Sequence, residues 1–281
     1  MKKNILSISL ISAFLVFLSV QVSAGPWVQE KHQVQVAFTG GYTYFDTYLD
    51  SDGDSMDMND EVVQFEAYYL YNAGIGKKRD YSIIIGVVSS DARSPVADIT
   101  DNRNRGLTDT SIRYRQQIYS KNTTIALIGG LKIPGTYDEN VLNAPGDHSL
   151  DVEAGMSIGE YYDERDMYWS ADVLYRIRFG DTDDEAEFDF EIGRVFDRKW
   201  LLRGLLTIVE QTGGHPIEQT PLGGGSSNFK QLNEDRFRFG GGVSYQLGVD
   251  TSLGITYMET TKGSNTRNDR TYYLTYSIQN H

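Results

Sequence analysis

The sequence predicts an all-β fold, a transmembrane antiparallel β-barrel of twelve strands with up-and-down topology. Three observations predict it. Apolar and polar residues alternate with period two through twelve separate segments, and no segment carries a helical period. The segments are long; the first runs roughly 12 to 15 residues, where a globular strand has about 5 to 6. The connections between them are short and long in turn, as in barrels whose turns face one side of a membrane and whose loops face the other.

The chain has 281 residues, and the first 24 read as a signal peptide. Lys2 and Lys3 form a basic start, "ILSISLISAFLVFLSV" is an apolar core, and Val22, Ser23 and Ala24 form a small-residue cleavage site. An uncleaved anchor is the alternative; a lipoprotein anchor is excluded because no Cys follows the core. Cleavage would leave 257 residues, from Gly25 to His281, as one outer-membrane barrel domain. After the leader no apolar run reaches 18 residues, so no helix is expected to span a bilayer.

The strands follow in order. Val34, Val36, Phe38, Tyr42 and Tyr44 share one face of the first, opposite Gln33, Gln35, Thr39 and Thr43. Val63, Phe65, Ala67, Tyr69 and Tyr71 mark the second, and Tyr81, Ile83, Ile85 and Val87 the third. Ile112, Tyr114 and Ile118 alternate with Ser111, Arg113, Arg115 and Gln117 in the fourth; Ile125, Leu127, Leu131 and Ile133 mark the fifth. Leu150 to Ile158 alternates with Asp151, Glu153 and Ser157, and Trp169 to Phe179 with Ser170, Asp172, Arg176 and Arg178. Phe188, Phe190, Ile192 and Phe196 alternate with Glu187, Asp189 and Glu191. Four more strands lie near 201–211, 235–249, 252–261 and 271–279. Short turns are expected near 73–80, 120–122, 160–166, 197–199 and 248–250, and long loops near 50–60, 89–105, 134–147, 180–186, 212–234 and 262–269. An even strand number puts both termini in the periplasm.

A soluble secreted β-sandwich or small barrel also alternates, but its apolar face points inward. Strand length favours the membrane, and so do aromatic rings near strand ends: Tyr42, Tyr44, Phe179, Phe188 and Tyr272 at one, Tyr71, Tyr81, Trp169, Phe196 and Trp200 at the other. Charges deep within strands agree, because they are tolerable only inside a closed barrel. In "DRFRFGGGVSYQLGV" the residues Phe237, Phe239, Val243, Tyr245 and Leu247 would face lipid, and Arg236, Arg238, Ser244 and Gln246 the interior.

Composition restricts the partners. The net charge of −13 becomes about −15 without Lys2 and Lys3, which excludes nucleic acid as an expected partner. There is no Cys, so the exported chain must be stable without disulfides. Outer-membrane lipid, lipopolysaccharide and a small-molecule solute are the expected partners, with no cofactor, and the oligomeric state is left open.

The expected interior is lined by Arg113, Arg115, Glu153, Asp172, Arg176, Arg178, Asp189, Glu191, Arg203, Arg236 and Arg238, with Asp151 beside them. Two readings of this set stand together: a charged constriction that selects solutes, or a salt-bridge network that fills a narrow barrel. In "DSDGDSMDMNDE", Asp50, Asp52 and Asp54 and then Glu61 carry the 1, 3, 5 and 12 spacing of a calcium loop. Ser55 stands where that loop needs Gly, so a solvated acidic loop is expected instead, and no metal site. Four histidines occur, His32, His148, His215 and His281. Asp147, His148 and Ser149 are adjacent, and neighbouring strand residues point to opposite faces, so they cannot form a triad; no catalytic residues are assigned. "PLGGGSSN" (221–228) lacks the Lys and helix of a phosphate loop.

Three stretches carry a family resemblance: "GPWVQ" at Gly25, "GLTDTSIRYRQQIY" at Gly106 and "ALIGGLKIPGTYD" at Ala126. In this order the chain resembles the outer-membrane transporter family named for the meta pathway of phenol degradation, over most of its mature length. Thr108 departs from the Gly of the first strand-opening motif. The resemblance implies a barrel channel for small molecules, aromatic or hydrophobic ones included, in the cell outer membrane. More distantly the chain resembles fatty-acid and hydrocarbon channels, which carry an N-terminal plug; only about nine residues precede the first strand here, which argues against a plug from that end. The reading is therefore a passive uptake channel and not an enzyme. The alternatives are a non-channel structural or adhesive surface barrel and, third, an outer-membrane hydrolase.

Overall fold

A computed structural model describes residues 25–93, 103–138, 146, 148–180, 182–213 and 234–280. Fourteen strand segments follow one another: β1 (Val34–Leu49), β2 (Ser55–Gly76), β3 (Arg79–Arg93), β4 (Arg103–Leu107), β5 (Thr110–Ser120), β6 (Thr123–Ile133), β7 (Leu150–Tyr162), β8 (Met167–Phe179), β9 (Glu185–Phe196), β10 (Trp200–Gln211), β11 (Asp235–Gln246), β12 (Thr251–Ser264), β13 (Thr266–Arg267) and β14 (Arg270–Asn280). They make twelve staves. β4 and β5 both pair with β3 and are one stave broken at Thr108–Asp109. β13 and β14 both pair with β1 and are another. Every neighbour is antiparallel, and β1 pairs with both β2 and β14, so the sheet closes on itself and leaves no edge.

Strands extend further into the loops than the pattern indicated. β1 and β2 leave only residues 50–54 between them, because the acidic stretch from Ser55 onward pairs with Thr47–Leu49. At the other end the turns are tight. Asp197 and Arg198 both have positive φ, and the Lys199 N–H donates to the Phe196 carbonyl, a type I′ hairpin whose twist suits the flanking strands. The leader at 1–24, most of the 89–105 loop, Asp147, His215, the Gly-rich 221–228 run and His281 lie outside the described residues.

The faces fall as the alternation requires. Phe65, Ile85, Leu127, Val173, Ile177, Phe179, Leu202, Phe239, Val243, Ile255 and Tyr272 are exposed on the outside. Thr39, Gln64, Asn72, Ser157, Ser170, Thr256 and Thr275 are buried within. An apolar exterior around a polar interior is the inverse of a soluble barrel, and it is stable only against hydrocarbon. Aromatic clusters sit toward both rims: Tyr42 against Phe65 and Tyr272, and Tyr257 against Tyr272, at the long-loop end; Tyr71 against Tyr81, and Trp200 against Tyr245, at the short-turn end. Among the described residues no helix is long and apolar enough to cross a membrane.

Candidate functional site

Period two sends every second side chain of each strand inward, and this chain places charges on those positions in seven neighbouring staves, β5 to β11, with Lys132 on β6. β5 contributes Arg113 and Arg115, β7 Asp151 and Glu153, and β8 Asp172, Arg176 and Arg178. β9 contributes Glu185, Glu187, Asp189 and Glu191, β10 Arg203, and β11 Arg236 and Arg238. Their pairing is dense on one side. Glu153 accepts from Arg113 (Nη2–Oε2 3.1 Å) and from Arg176 (3.3 Å), and Arg176 also reaches Glu185 and Glu187 (2.6 Å to the latter). Arg178 lies 3.5 Å from Glu185, and Lys132 pairs with Asp151 at 2.7 Å. Opposite, pairing is looser: Arg203 is 3.8 Å from Glu191 and donates to Thr256 Oγ1 at 2.7 Å, Arg238 is 3.4 Å from Asp269, and Arg236 is 3.7 Å from Glu234.

The looser side opens on a cavity of about 510 Å³. Arg113, Arg203, Arg236 and Arg238 line it against Glu187, Asp189 and Glu191, so its wall carries four positive and three negative groups. Tyr68, Tyr273, Leu205 and Met258 add aromatic and apolar surface. Of the other expected lining residues, Arg115, Glu153, Arg176 and Arg178 point inward within the paired regions and Asp172 points inward against Ser157; none of the five is on the cavity wall.

The largest correction concerns the chain before β1. Residues Gly25–Glu30 run inside the barrel, entering at the short-turn end, where the His32 N–H donates to the Gly74 carbonyl (3.1 Å) and Lys31 bridges Gly74. Asp80 and Arg115, both buried, form a two-point pair (3.0 and 2.7 Å) that grips this segment. Asp80 also accepts the Gln29 N–H at 2.9 Å, and Arg115 Nη1 donates to the Gly25 carbonyl at 3.1 Å. Trp27 stands edge-on to Tyr168, ring centres 5.8 Å apart. A segment of about nine residues is enough to occupy the interior because about six extended residues already span about 20 Å.

At the long-loop rim the two motif stretches meet. Asp109, at the break between β4 and β5, accepts the Gly135 N–H (3.0 Å) and the Tyr137 hydroxyl (2.8 Å), and Lys132 lies 3.6 Å away. Leu107 and Thr136 exchange two further bonds, at 2.9 and 3.0 Å. The break thus folds the start of the β6–β7 connection against the barrel rim.

The profile of the family described as "Putative MetA-pathway of phenol degradation" matches residues 73–276. The chain belongs to this family. No curated protein matches the chain. Among solved structures this family member is similar to the COG4313 outer membrane channel from Pseudomonas putida F1, with 10% identity, a TM-score of 0.70, and coverage of 93% of this chain and 100% of that one. It is also similar to the NanC porin, with 9% identity, a TM-score of 0.53, and coverage of 86% and 98%. At such identities the likeness establishes the fold.

Within this fold the remaining candidates take ordinary places. Asp50 Oδ1 accepts the N–H groups of Asp52 and Asp54, each at 2.9 Å, which turns the calcium-like spacing into a hairpin cap. Among the described residues no group of three or more His, Cys, Asp or Glu is placed to hold a metal. His148 packs edge-on to Tyr137 and its Nε2 lies 3.1 Å from the Gly135 carbonyl oxygen, while Ser149 donates to Asp151 at 2.5 Å, so the two adjacent residues serve different contacts. Sequence reasoning missed Asp80, and it put Glu187 on the polar face of its strand without counting it among the lining residues. Both stand on inward positions of their strands, so strict period-two bookkeeping could have counted both.

Proposed function

We propose that the protein is an outer-membrane channel for passive uptake of small molecules, without catalytic activity. The observation that carries this reading is the closed barrel with an apolar exterior and a charged interior cavity of about 510 Å³, within the size range of small-molecule sites. The four arginines and three carboxylates of its wall suit a small solute that is neutral or singly negative, and Tyr68, Tyr273 and Met258 suit one with an aromatic or apolar body. The family's description refers to phenol degradation, which accords with that class. Lipid and lipopolysaccharide would surround the exposed apolar band. Liposome swelling tests the reading: vesicles bearing the protein should admit benzoate-sized solutes faster than protein-free vesicles and exclude solutes larger than the cavity.

A second reading is favoured by one observation, the occupation of the interior by Gly25–Glu30 and the Glu153–Arg176 network. It is a closed barrel that serves the envelope structurally. No swelling and no conductance, in wild type and in a chain shortened to begin after Glu30, would decide for it.

A further inference from the structure

We propose that the barrel interior holds a receptor for a primary ammonium group, formed by Asp172 and Ser157, and that its ligand is the chain's own α-amine, created when the leader is cut before Gly25. Asp172 is the sixth of the thirteen residues of β8 (Met167–Phe179), and so stands near mid-barrel. Its carboxylate accepts from the Ser157 hydroxyl, and the Gly25 N–H is directed at it as a weaker donor. Among the described residues no basic side chain lies within ion-pair distance of it. The interior carboxylates Asp80, Asp151, Glu153, Glu185, Glu187 and Glu191 each have one; Asp189 and Glu66 instead accept from the uncharged side chains of Thr207 and Gln64. Arg115 and Arg113 act on the Asp172 carboxylate only from beyond ion-pair distance, so, held away from bulk water, it favours a cation at the nearer Gly25 nitrogen.

The sequence supplies that charge at this atom. Val22, Ser23 and Ala24 place the expected cut directly before Gly25. Before cleavage the Gly25 nitrogen is a peptide N–H with one donor. Afterwards it is an ammonium, protonated at neutral pH, and the hydrogen bond becomes a charge-assisted ion pair. The surroundings fit a chain end held in one place. Gly25 is buried with φ of +115°, in the region that favours glycine, and a β-carbon there would lie 2.7 Å from the Trp27 ring. Gly159 has no side chain where Pro26 and Trp27 pass; a β-carbon would come within 3.0 Å of both. Arg115 fixes the Gly25 carbonyl from the other side. Removal of the leader thus does more than release the protein: it makes the group that locks the first residues inside the barrel.

The test uses the full-length mature protein in detergent and in planar bilayers. Intact mass should show Gly25 as the first residue; a different start overturns the proposal. The α-amine should react with an amine-directed ester at least about tenfold more slowly in wild type than in Asp172→Asn, a difference equivalent to about 1.4 kcal/mol. A chain with one alanine added before Gly25 displaces the amine by about 3.5 Å and should label as fast as Asp172→Asn. Retention of the compact, heat-modifiable form on gels identifies which variants are folded, and either variant alone suffices. Equal labelling in wild type and a folded variant overturns the proposal. A protected amine in a protein that conducts nothing would sink the channel reading and leave the lock standing, since labelling does not depend on conduction.

Discussion

Val173→Lys tests the sidedness of the barrel where the lipid penalty is greatest. Val173 is the central residue of β8, is 53% exposed, and lies between Met156 and Phe188 in register on its neighbouring strands. A lysine at the midplane of such a wall costs about 2–4 kcal/mol, which lowers the folding constant by about 30-fold to 1000-fold. The inward control is Leu205→Lys. Leu205 pairs in register with Glu191 and Gly240 and lines the cavity, so the new ammonium meets a carboxylate and water; the cost should stay below about 1 kcal/mol. Val243→Lys should fall between them, because Val243 is three residues from the end of β11 and, at about 3.4 Å rise and 45° tilt, about 6 Å from the middle. Ser244 is a poor inward control: it is buried against Gly254, and a larger side chain there overpacks the wall whatever its charge. Equilibrium unfolding in guanidinium from lipid vesicles, followed by tryptophan fluorescence, gives the three values. Equal losses at Val173 and Leu205 would show that the faces are misassigned.

Other outcomes follow from the interior. Arg115→Leu leaves Asp80 fully buried without its cation and should cost about 3–5 kcal/mol, most of it recovered when Asp80→Leu is added, as read by the same unfolding experiment. Reversal potentials under a salt gradient should show a small anion preference, since the cavity wall carries one more arginine than carboxylates; changing Arg236 and Arg238 together to Ser should turn it to a cation preference, and an unchanged potential would remove them from the conducting path. Calcium should leave Tm unchanged, because Asp50 Oδ1 is occupied by two backbone N–H groups; a rise in Tm with calcium would contradict this. In cells the protein should sediment with the outer membrane and resist carbonate extraction.

The barrel was legible because closing a sheet in a membrane forces a strict rule on every strand. One face must be apolar and the other need not be, so Trp169 to Phe179 and Asp235 to Val249 each announce their two sides. Stave count and turn positions follow from the same rule together with turn chemistry such as Asp197–Arg198. Charges on inward positions were equally plain, since Arg176 and Glu153 stand where only an interior can hold them. Their pairing was not, because register between strands decides it: Glu153 lies opposite Gly130 on one side and Arg176 on the other. A sequence specifies which face a residue takes more strongly than which neighbour it meets. The division of the interior into a tightly paired side and an open cavity therefore comes only with the register.

The segment before β1 obeys no such rule, and counting its length misjudged it. A plug that is itself a domain needs a core, but a plug made of a single extended chain needs only partners for its backbone and a gap in the surrounding side chains. This barrel provides both from residues that also serve as regular members of its strands. Asp80 begins a strand and Arg115 continues an alternation, yet together they bind the N–H of Gln29 and the carbonyl of Gly25. Gly159 and Gly74 pass for ordinary strand glycines, yet each is the space through which the segment runs. The partners sit on β2, β3, β5, β7 and β8, far from residue 25 in sequence, so no local pattern joins them. What the sequence does carry is "GPWVQ" directly behind the cleavage site: a glycine, a proline and a tryptophan, set ahead of the first strand in a protein whose tryptophans otherwise face outward. The position of Trp27 against Tyr168 inside the barrel gives that short motif its physical reason.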